Sequence, residues 1–413
     1  MTAIISPAFI SGFHPARLKS LPPLSLYIHI PWCIRKCPYC DFNSHEVRDR
    51  SGGMPEEEYV AALIRDLEST LPQVWGRKVV SVFFGGGTPS LFSARSIDSI
   101  LSAARALLPL EHFAEVTLEA NPGTFEAEKF RNFRDAGINR LSIGIQSFNS
   151  RHLKSLGRIH DDSEARRAVD IALNIFDNVN LDLMYGLPAQ TLEEAQNDIN
   201  IAVASGIAHI SAYQLTLEPN TLFHRFPPAL PDDDLTAEMQ TAIEETLASG
   251  GYVNYETSAF AQSGRECRHN MNYWLFGDYL GIGAGAHSKI SFVDKIVRQI
   301  RYKQPREYLA KSAPEMVSAG PPLTEQHELE RNDRAFEFMM NALRLTEGFP
   351  TQTFVERTGL PITNIQRQLD EAERLELITR DHRQIAPTLA GRRFLNDLLE
   401  IFLPQSPVKQ SGA

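Results

Sequence analysis

The sequence predicts an α/β protein built on a partial (β/α) barrel, followed by a small, mostly helical, winged-helix-like domain. Three observations carry this. Between about residues 24 and 260, short apolar segments alternate with longer amphipathic ones, the pattern of βαβ units and a parallel sheet. Within several short segments, polar and apolar residues alternate, so one face of each strand is polar. Beyond about residue 300 the alternation gives way to helix, helix, hairpin, helix. A doubly wound sheet is apolar on both faces, and a closed barrel packed with branched side chains is apolar inside. A polar interior under an apolar wall therefore points to an opened barrel, with helices outside and a wet, ligand-holding centre.

The expected strands are "LSLYIHI", "VVSVFFGGG", "EVTLEAN", "RLSIGIQS", "VNLDLMYG" and "HISAYQLT". Tyr27 and His29 share one face of the first, against Ile28 and Ile30. Thr117 and Glu119 oppose Val116, Leu118 and Ala120 in the third. Ser142, Gly144 and Gln146 oppose Leu141, Ile143 and Ile145 in the fourth, and Asp182 opposes Leu181 and Leu183 in the fifth. Helices are expected over 56–70, 94–108, 125–136, 162–176 and 192–205, with Gly137, Gly186 and Gly206 marking loops. In the second domain, helices are expected over 331–345, 362–376 and 389–402, with "ITRDHRQIAPT" as a hairpin. The division expected is an N-terminal extension (1–24), the barrel domain (25–300), the helical domain (301–403) and a disordered tail (404–413). The winged-helix pattern is not read as DNA binding, because such modules often only pack or mediate contacts.

Composition sets the outer limits. Hydrophobic residues make up 43% of the 413 residues and charged ones 22%, as in a globular protein with a sizeable core. A formal charge of −10 argues against a general nucleic-acid partner. No apolar run reaches the length of a membrane span, and the first residues lack the pattern of a signal peptide. The expected location is the cytoplasm, with any membrane contact peripheral. There thiols stay reduced, so clustered cysteines point to a metal or to catalysis.

The cluster is "HIPWCIRKCPYCDFNSH", with Cys33, Cys37 and Cys40 within eight positions; the fourth cysteine, Cys267, is remote. Pro31 and Pro38 stiffen this loop. Four-iron cubanes normally take four cysteine ligands. With three, one iron keeps an open position that can chelate a small molecule. The structural alternative is zinc, with His29, Asp41, His45 or Cys267 as fourth ligand. "GGGTP" at 85–89 adds a glycine-rich turn after the second strand, where backbone can approach a ligand closely and offer N–H donors.

The Cys-x3-Cys-x2-Cys pattern, with Tyr39 before the third cysteine and the glycine turn one strand later, resembles the radical S-adenosylmethionine (SAM) superfamily. Over 26–290, "YIHIPWC", "KCPYCDF", "FFGGGTPSLF", "LEANPGT", "RLSIGIQSFN", "LGRIH", "DLMYGLP", "RHNMNYW" and "GDYLGIGAGAHS" resemble the oxygen-independent coproporphyrinogen III oxidase family, and within it the HemW-type haem-chaperone branch. The resemblance implies a radical SAM partial barrel and a [4Fe-4S] cluster on Cys33, Cys37 and Cys40. The open iron would bind SAM, whose reductive cleavage yields a 5′-deoxyadenosyl radical. It implies that Tyr27 touches SAM, that Tyr39 meets its adenine side through the loop backbone, and that Gly86, Gly87 and Thr88 hold the methionine moiety. Glu119, Gln146, Arg158 and Asp182 would hold its charged and hydroxyl groups, as carboxylates accept from ammonium or ribose hydroxyls and arginine pairs with a carboxylate. Thr216 and His287 align more loosely with the pocket.

The family's oxidases carry a further cysteine two positions after the third, where this chain has Phe42, and a longer segment before the first strand. Both departures match the haem-carrier branch. Its H-N-x-x-Y-W pattern is met by His269, Asn270, Tyr273 and Trp274. A neutral imidazole is a good axial haem ligand, the aromatics offer flat apolar surface, and Arg265 or Arg268 would meet a propionate. The bland alternative is that His269 fixes a loop while the aromatics fill a core. Cys267 is a weaker candidate for haem. The resemblance thus implies a haem chaperone serving haem-accepting respiratory proteins, with an electron donor such as flavodoxin or ferredoxin. A radical oxidase of coproporphyrinogen III and a zinc-stabilised interaction module stand as alternatives.

Overall fold

The computed structural model describes residues 17–47, 53–124 and 127–404. Most of the expected N-terminal extension and nearly all of the expected tail lie outside those residues. The first half of the chain carries β1 (Leu24–Ile30), β2 (Val79–Gly86), β3 (Leu110–Ala120), β4 (Arg140–Gln146), β5 (Val179–Tyr185) and β6 (His209–Gln214). Helices α1 (Glu56–Val74), α2 (Ala94–Leu107), α3 (Ala127–Ala136), α4 (Asp162–Ile175) and α5 (Leu192–Ala204) connect them, and α6 (Asp233–Ser249) follows. Local chemistry fixes several starts. Asp161 and Glu164 form a capping box at α4, and Thr191 and Glu194 form one at α5, each capping side chain contributing about 1 kcal/mol.

Six further strands extend the sheet: β7 (Val253–Glu256), β8 (Ala259–Ala261), β9 (Asp278–Ile282), β10 (His287–Ser291), β11 (Ile296–Arg301) and β12 (Leu323–Glu328). The order is β12-β11-β10-β9-β1-β2-β3-β4-β5-β6-β8-β7. The central run from β9 through β1 to β6 is parallel, and the strands flanking it are antiparallel. β12 and β7 end the sheet without pairing to each other, so the barrel is open.

The two faces divide as the alternation requires. Ile28, Ile30, Val82, Phe84, Leu118, Leu141, Ile143, Leu181 and Leu183 are buried in one core with Leu63 and Leu67 of α1, Ile97 and Leu101 of α2, Phe130 and Phe133 of α3, and Val169 of α4. The opposite face carries Glu119, Ser142, Asp182 and Tyr213, which look into a cavity.

A second core gathers around Phe338, Phe349, Phe354, Leu369 and Ile385. Here α7 (Arg268–Trp274), from the floor of the barrel, meets α8 (Arg331–Ala342), which packs on α9 (Thr351–Thr358), and α10 (Gln366–Arg374) completes the helices. A three-stranded sheet of β13 (Phe349–Pro350), β14 (Ile378–Arg380) and β15 (Gln384–Pro387) supplies the wing. Two details differ from the sequence reading. The helix expected over 389–402 breaks at Phe394, whose φ of −109° and ψ of 46° leave the helical region. And the large sheet continues to Glu328, beyond the boundary expected at 300. β12 is an edge strand with five of its six residues exposed, so it lacks the apolar alternation that marks a strand in sequence.

Candidate cofactor-binding site

The polar faces of β2–β6 enclose a cavity of about 360 Å3 at the carboxyl ends of the strands. Its mouth is the cysteine loop. Trp32–Cys33 pairs in parallel with His45–Glu46, fastening the loop ends, and the Cys40 amide donates to the Cys37 carbonyl at 3.1 Å. Cys33, Cys37 and Cys40 are half-buried and line the cavity. Burial pushes the Cys33 and Cys40 thiols above their ordinary range.

The glycine turn sits beneath the loop. Gly86 has φ +114°, and a Cβ there would lie 2.6 Å from the His29 ring. A Cβ on Gly87 would lie 2.5 Å from the Trp32 carbonyl oxygen. Glycine is required at both points because the turn is pressed against β1 and its continuation. Thr88 is buried and donates its hydroxyl to Cys33 Sγ at 3.5 Å.

Two carboxyls face the cavity from the wall. Glu119 Oε2 accepts from the Gly86 amide at 3.2 Å. Burial, and then the Asp182 charge, push Glu119 up to about 8. Asp182 accepts from Ser142 at 2.9 Å and from Asn180 at 2.8 Å, and burial raises it despite those donors. Gln146 lines the cavity from a left-handed backbone position, φ +69°, just where the β4–β5 register slips. Such strain in a non-glycine residue is concentrated at functional sites. Arg158 reaches in from the loop before α4, donating to the Gly144 carbonyl at 2.6 Å and towards Cys37 Sγ at 3.7 Å. Asn121, the last residue of the expected strand "EVTLEAN", hydrogen-bonds both Thr88 and Arg158.

Tyr39 also lines the cavity, its ring 6.3 Å from Phe223. Two expected residues lie below it instead. Tyr27 donates to His29 Nδ1 at 3.0 Å and stacks on Phe83. His269 sits on α7 with Nδ1 3.0 Å from the Ser81 hydroxyl and its ring 4.9 Å from Phe83. Burial and the Arg140 charge lower His269 to about 3, so the imidazole is neutral. Ser81 and Gly86 are five residues apart on one strand, about 16 Å along it, and His269 is tied to the Ser81 end. Trp274, from the same motif, lies under the Arg344 guanidinium at 4.5 Å. Thr216 lines the cavity, whereas His287, exposed on β10, does not.

Of the four candidates for a fourth zinc ligand, His29, His45 and Cys267 do not line the cavity. His29 is held between Tyr27 and the Asn43 carbonyl, and His45 is held by Asn43 Oδ1. Cys267 is buried and donates to Glu115. Asp41 lines the cavity with the three thiols.

Comparisons with known proteins agree with this geometry. Residues 27–202 match the radical SAM superfamily, and residues 329–394 match the HemN C-terminal domain. The chain is 48% identical to the heme chaperone HemW of Escherichia coli (strain K12), over 94% of this chain and 100% of the relative. It is 47% identical to that of Haemophilus influenzae over 94% and 100%, and 33% identical to that of Bacillus subtilis (strain 168) over 92% and 99%. The solved coproporphyrinogen III oxidase (HemN) of Escherichia coli, a radical SAM enzyme, superposes with a TM-score of 0.78 over 92% of this chain and 90% of that one. At 23% identity, that likeness is one of fold. Full-length similarity at these identities shows that the chain belongs to the HemW family of heme chaperones within the radical SAM superfamily.

Proposed function

We propose that the protein is a haem chaperone that binds a [4Fe-4S] cluster, SAM and haem, and hands haem to acceptors such as respiratory proteins. Membership of the radical SAM superfamily implies the cluster and SAM. The residues fit both. The observation that carries the reading is the placement of three half-buried thiols from one loop at the mouth of a carboxyl-lined cavity. Thiolates are the ligands such clusters take, and iron's positive charge opposes the burial that raises Cys33 and Cys40. When bound, the cluster supplies an open iron for chelation and an electron, drawn from a donor such as flavodoxin or ferredoxin.

Each wall residue has a physical task. The Gly86–Thr88 turn presents close backbone to the methionine end. Glu119 accepts from its ammonium, and the ammonium draws Glu119 back towards ionisation. Arg158 meets its carboxylate with the N–H groups left after Asn121 and Gly144. Asp182 and Gln146 hold ribose hydroxyls, Tyr39 borders the adenine side, and Tyr27 supports the pocket floor. His269, neutral and with Nδ1 tied to Ser81, offers Nε2 to haem iron, as second-shell bonds orient ligating imidazoles.

Phe42, 63% exposed at the mouth, occupies the position where the oxidases carry a further cysteine. The test is anaerobic reconstitution with iron and sulfide analysis, followed by haem transfer to a respiratory membrane preparation with and without the cluster. Cluster-dependent transfer is expected. Efficient conversion of coproporphyrinogen III to protoporphyrinogen IX would replace this reading with the oxidase. Full zinc occupancy without labile sulfide would replace it with the interaction module.

A further inference from the structure

Asn121 follows β3 and lies between two of the cluster thiols without touching either. Its Nδ2 donates to Thr88 Oγ1 at 2.8 Å. Its Oδ1 accepts from Arg158 Nη2. The amide orientation is forced, because the reverse would set its NH2 group against the guanidinium. That orientation propagates. Having accepted from Asn121, the Thr88 hydroxyl directs its single proton to Cys33 Sγ, 3.5 Å away. Arg158, held at one end by Asn121 and the Gly144 carbonyl, places Nη1 3.7 Å from Cys37 Sγ.

The result is one hydrogen-bonded bridge, Cys33–Thr88–Asn121–Arg158–Cys37, with both ends donating to sulfur. Hydrogen bonds to the sulfurs of an iron–sulfur cluster withdraw electron density and raise its reduction potential. Cys40 is not an end of this bridge; the Ser44 hydroxyl lies 3.7 Å from its sulfur and also bonds Cys33.

We propose that Asn121 is the positioning residue that sets the cluster's reduction potential, acting through Thr88 on Cys33 and through Arg158 on Cys37. This rests on the cluster reading above. It goes beyond that reading by assigning the control of the potential to a residue that touches no ligand sulfur.

The experiment is a redox titration of the reconstituted full-length protein, followed by electron paramagnetic resonance, for wild type, Asn121→Leu, Asn121→Asp and Thr88→Val. Asn121→Leu is expected to keep its iron and sulfide but to become harder to reduce by about tenfold, or ~59 mV for one electron. Thr88→Val is expected to move the potential the same way by a smaller amount, since Arg158 is untouched. Asn121→Asp keeps an acceptor for Arg158 and serves where the leucine variant does not fold. It too is expected to shift negative, through its added charge and the lost donation to Thr88. An unchanged potential and spectrum in Asn121→Leu or Asn121→Asp with a full cluster would overturn the proposal. Absence of iron and sulfide from wild type would instead sink the cluster reading itself.

Discussion

Glu119 and Asp182, two strands apart on β3 and β5, face the same cavity, and the Asp182 charge adds to burial in holding Glu119 protonated up to about pH 8. Without a ligand, the raised carboxyl opposes folding once it must ionise. Its folded value lies above the ordinary 4.5. The folded state therefore holds a proton that the unfolded state has lost, and stability falls between about pH 4.5 and 8. Ligand-free Glu119→Gln is expected to melt a few degrees above wild type at pH 8, with the gap closing towards pH 4.5. Thermal unfolding across that range measures it. The same variant is expected to bind SAM at least tenfold more weakly by calorimetry.

Replacing Gly86 with alanine forces a side chain onto the His29 ring and into a backbone region that L residues avoid. The backbone strain alone costs about 1–3 kcal/mol. The expected outcome is a lower unfolding midpoint in urea together with loss of SAM binding.

The four cysteines are expected to separate cleanly. Alanine at 33, 37 or 40 removes most bound iron and acid-labile sulfide. Alanine at 267 leaves both in place and lowers stability, since that thiol is buried and bonded to Glu115. Metal and sulfide analysis after anaerobic reconstitution distinguishes the two groups.

His269→Ala is expected to weaken haem binding and shift the Soret band, while SAM affinity stays within about twofold because His269 does not line the cavity. Optical titrations with each ligand measure this. An identical Soret spectrum and affinity would remove His269 as the axial ligand.

Much of this was legible in the sequence, for definite reasons. Strand alternation is local, so the inward aim of Glu119, Ser142 and Asp182 could be read from period two. The cysteine spacing and the glycine turn are likewise local. What escaped reading depends on distant partners. Asn121 gains its place only when Thr88 and Arg158 arrive from other loops. Tyr27, expected to touch SAM, and His269, expected to meet haem, both lie outside the cavity lining, which strand alternation alone does not reveal. The α9 helix was missed, and so was β12, whose exposed residues carry no apolar rhythm. The buried Asp278, bridging Arg77 at 2.8 Å and Lys289 at 2.8 Å, joins three segments that nothing in the sequence pairs.

The gap left by the unjoined ends of the sheet has a thermodynamic consequence. In a sealed barrel, tiers of aliphatic side chains fill the middle. On the function proposed here, the bound nucleotide would serve as that filling. The protein's melting temperature will climb with SAM concentration, by an amount fixed by the ratio of free ligand to its dissociation constant. Proteolysis in cells would then favour molecules that have not yet been loaded.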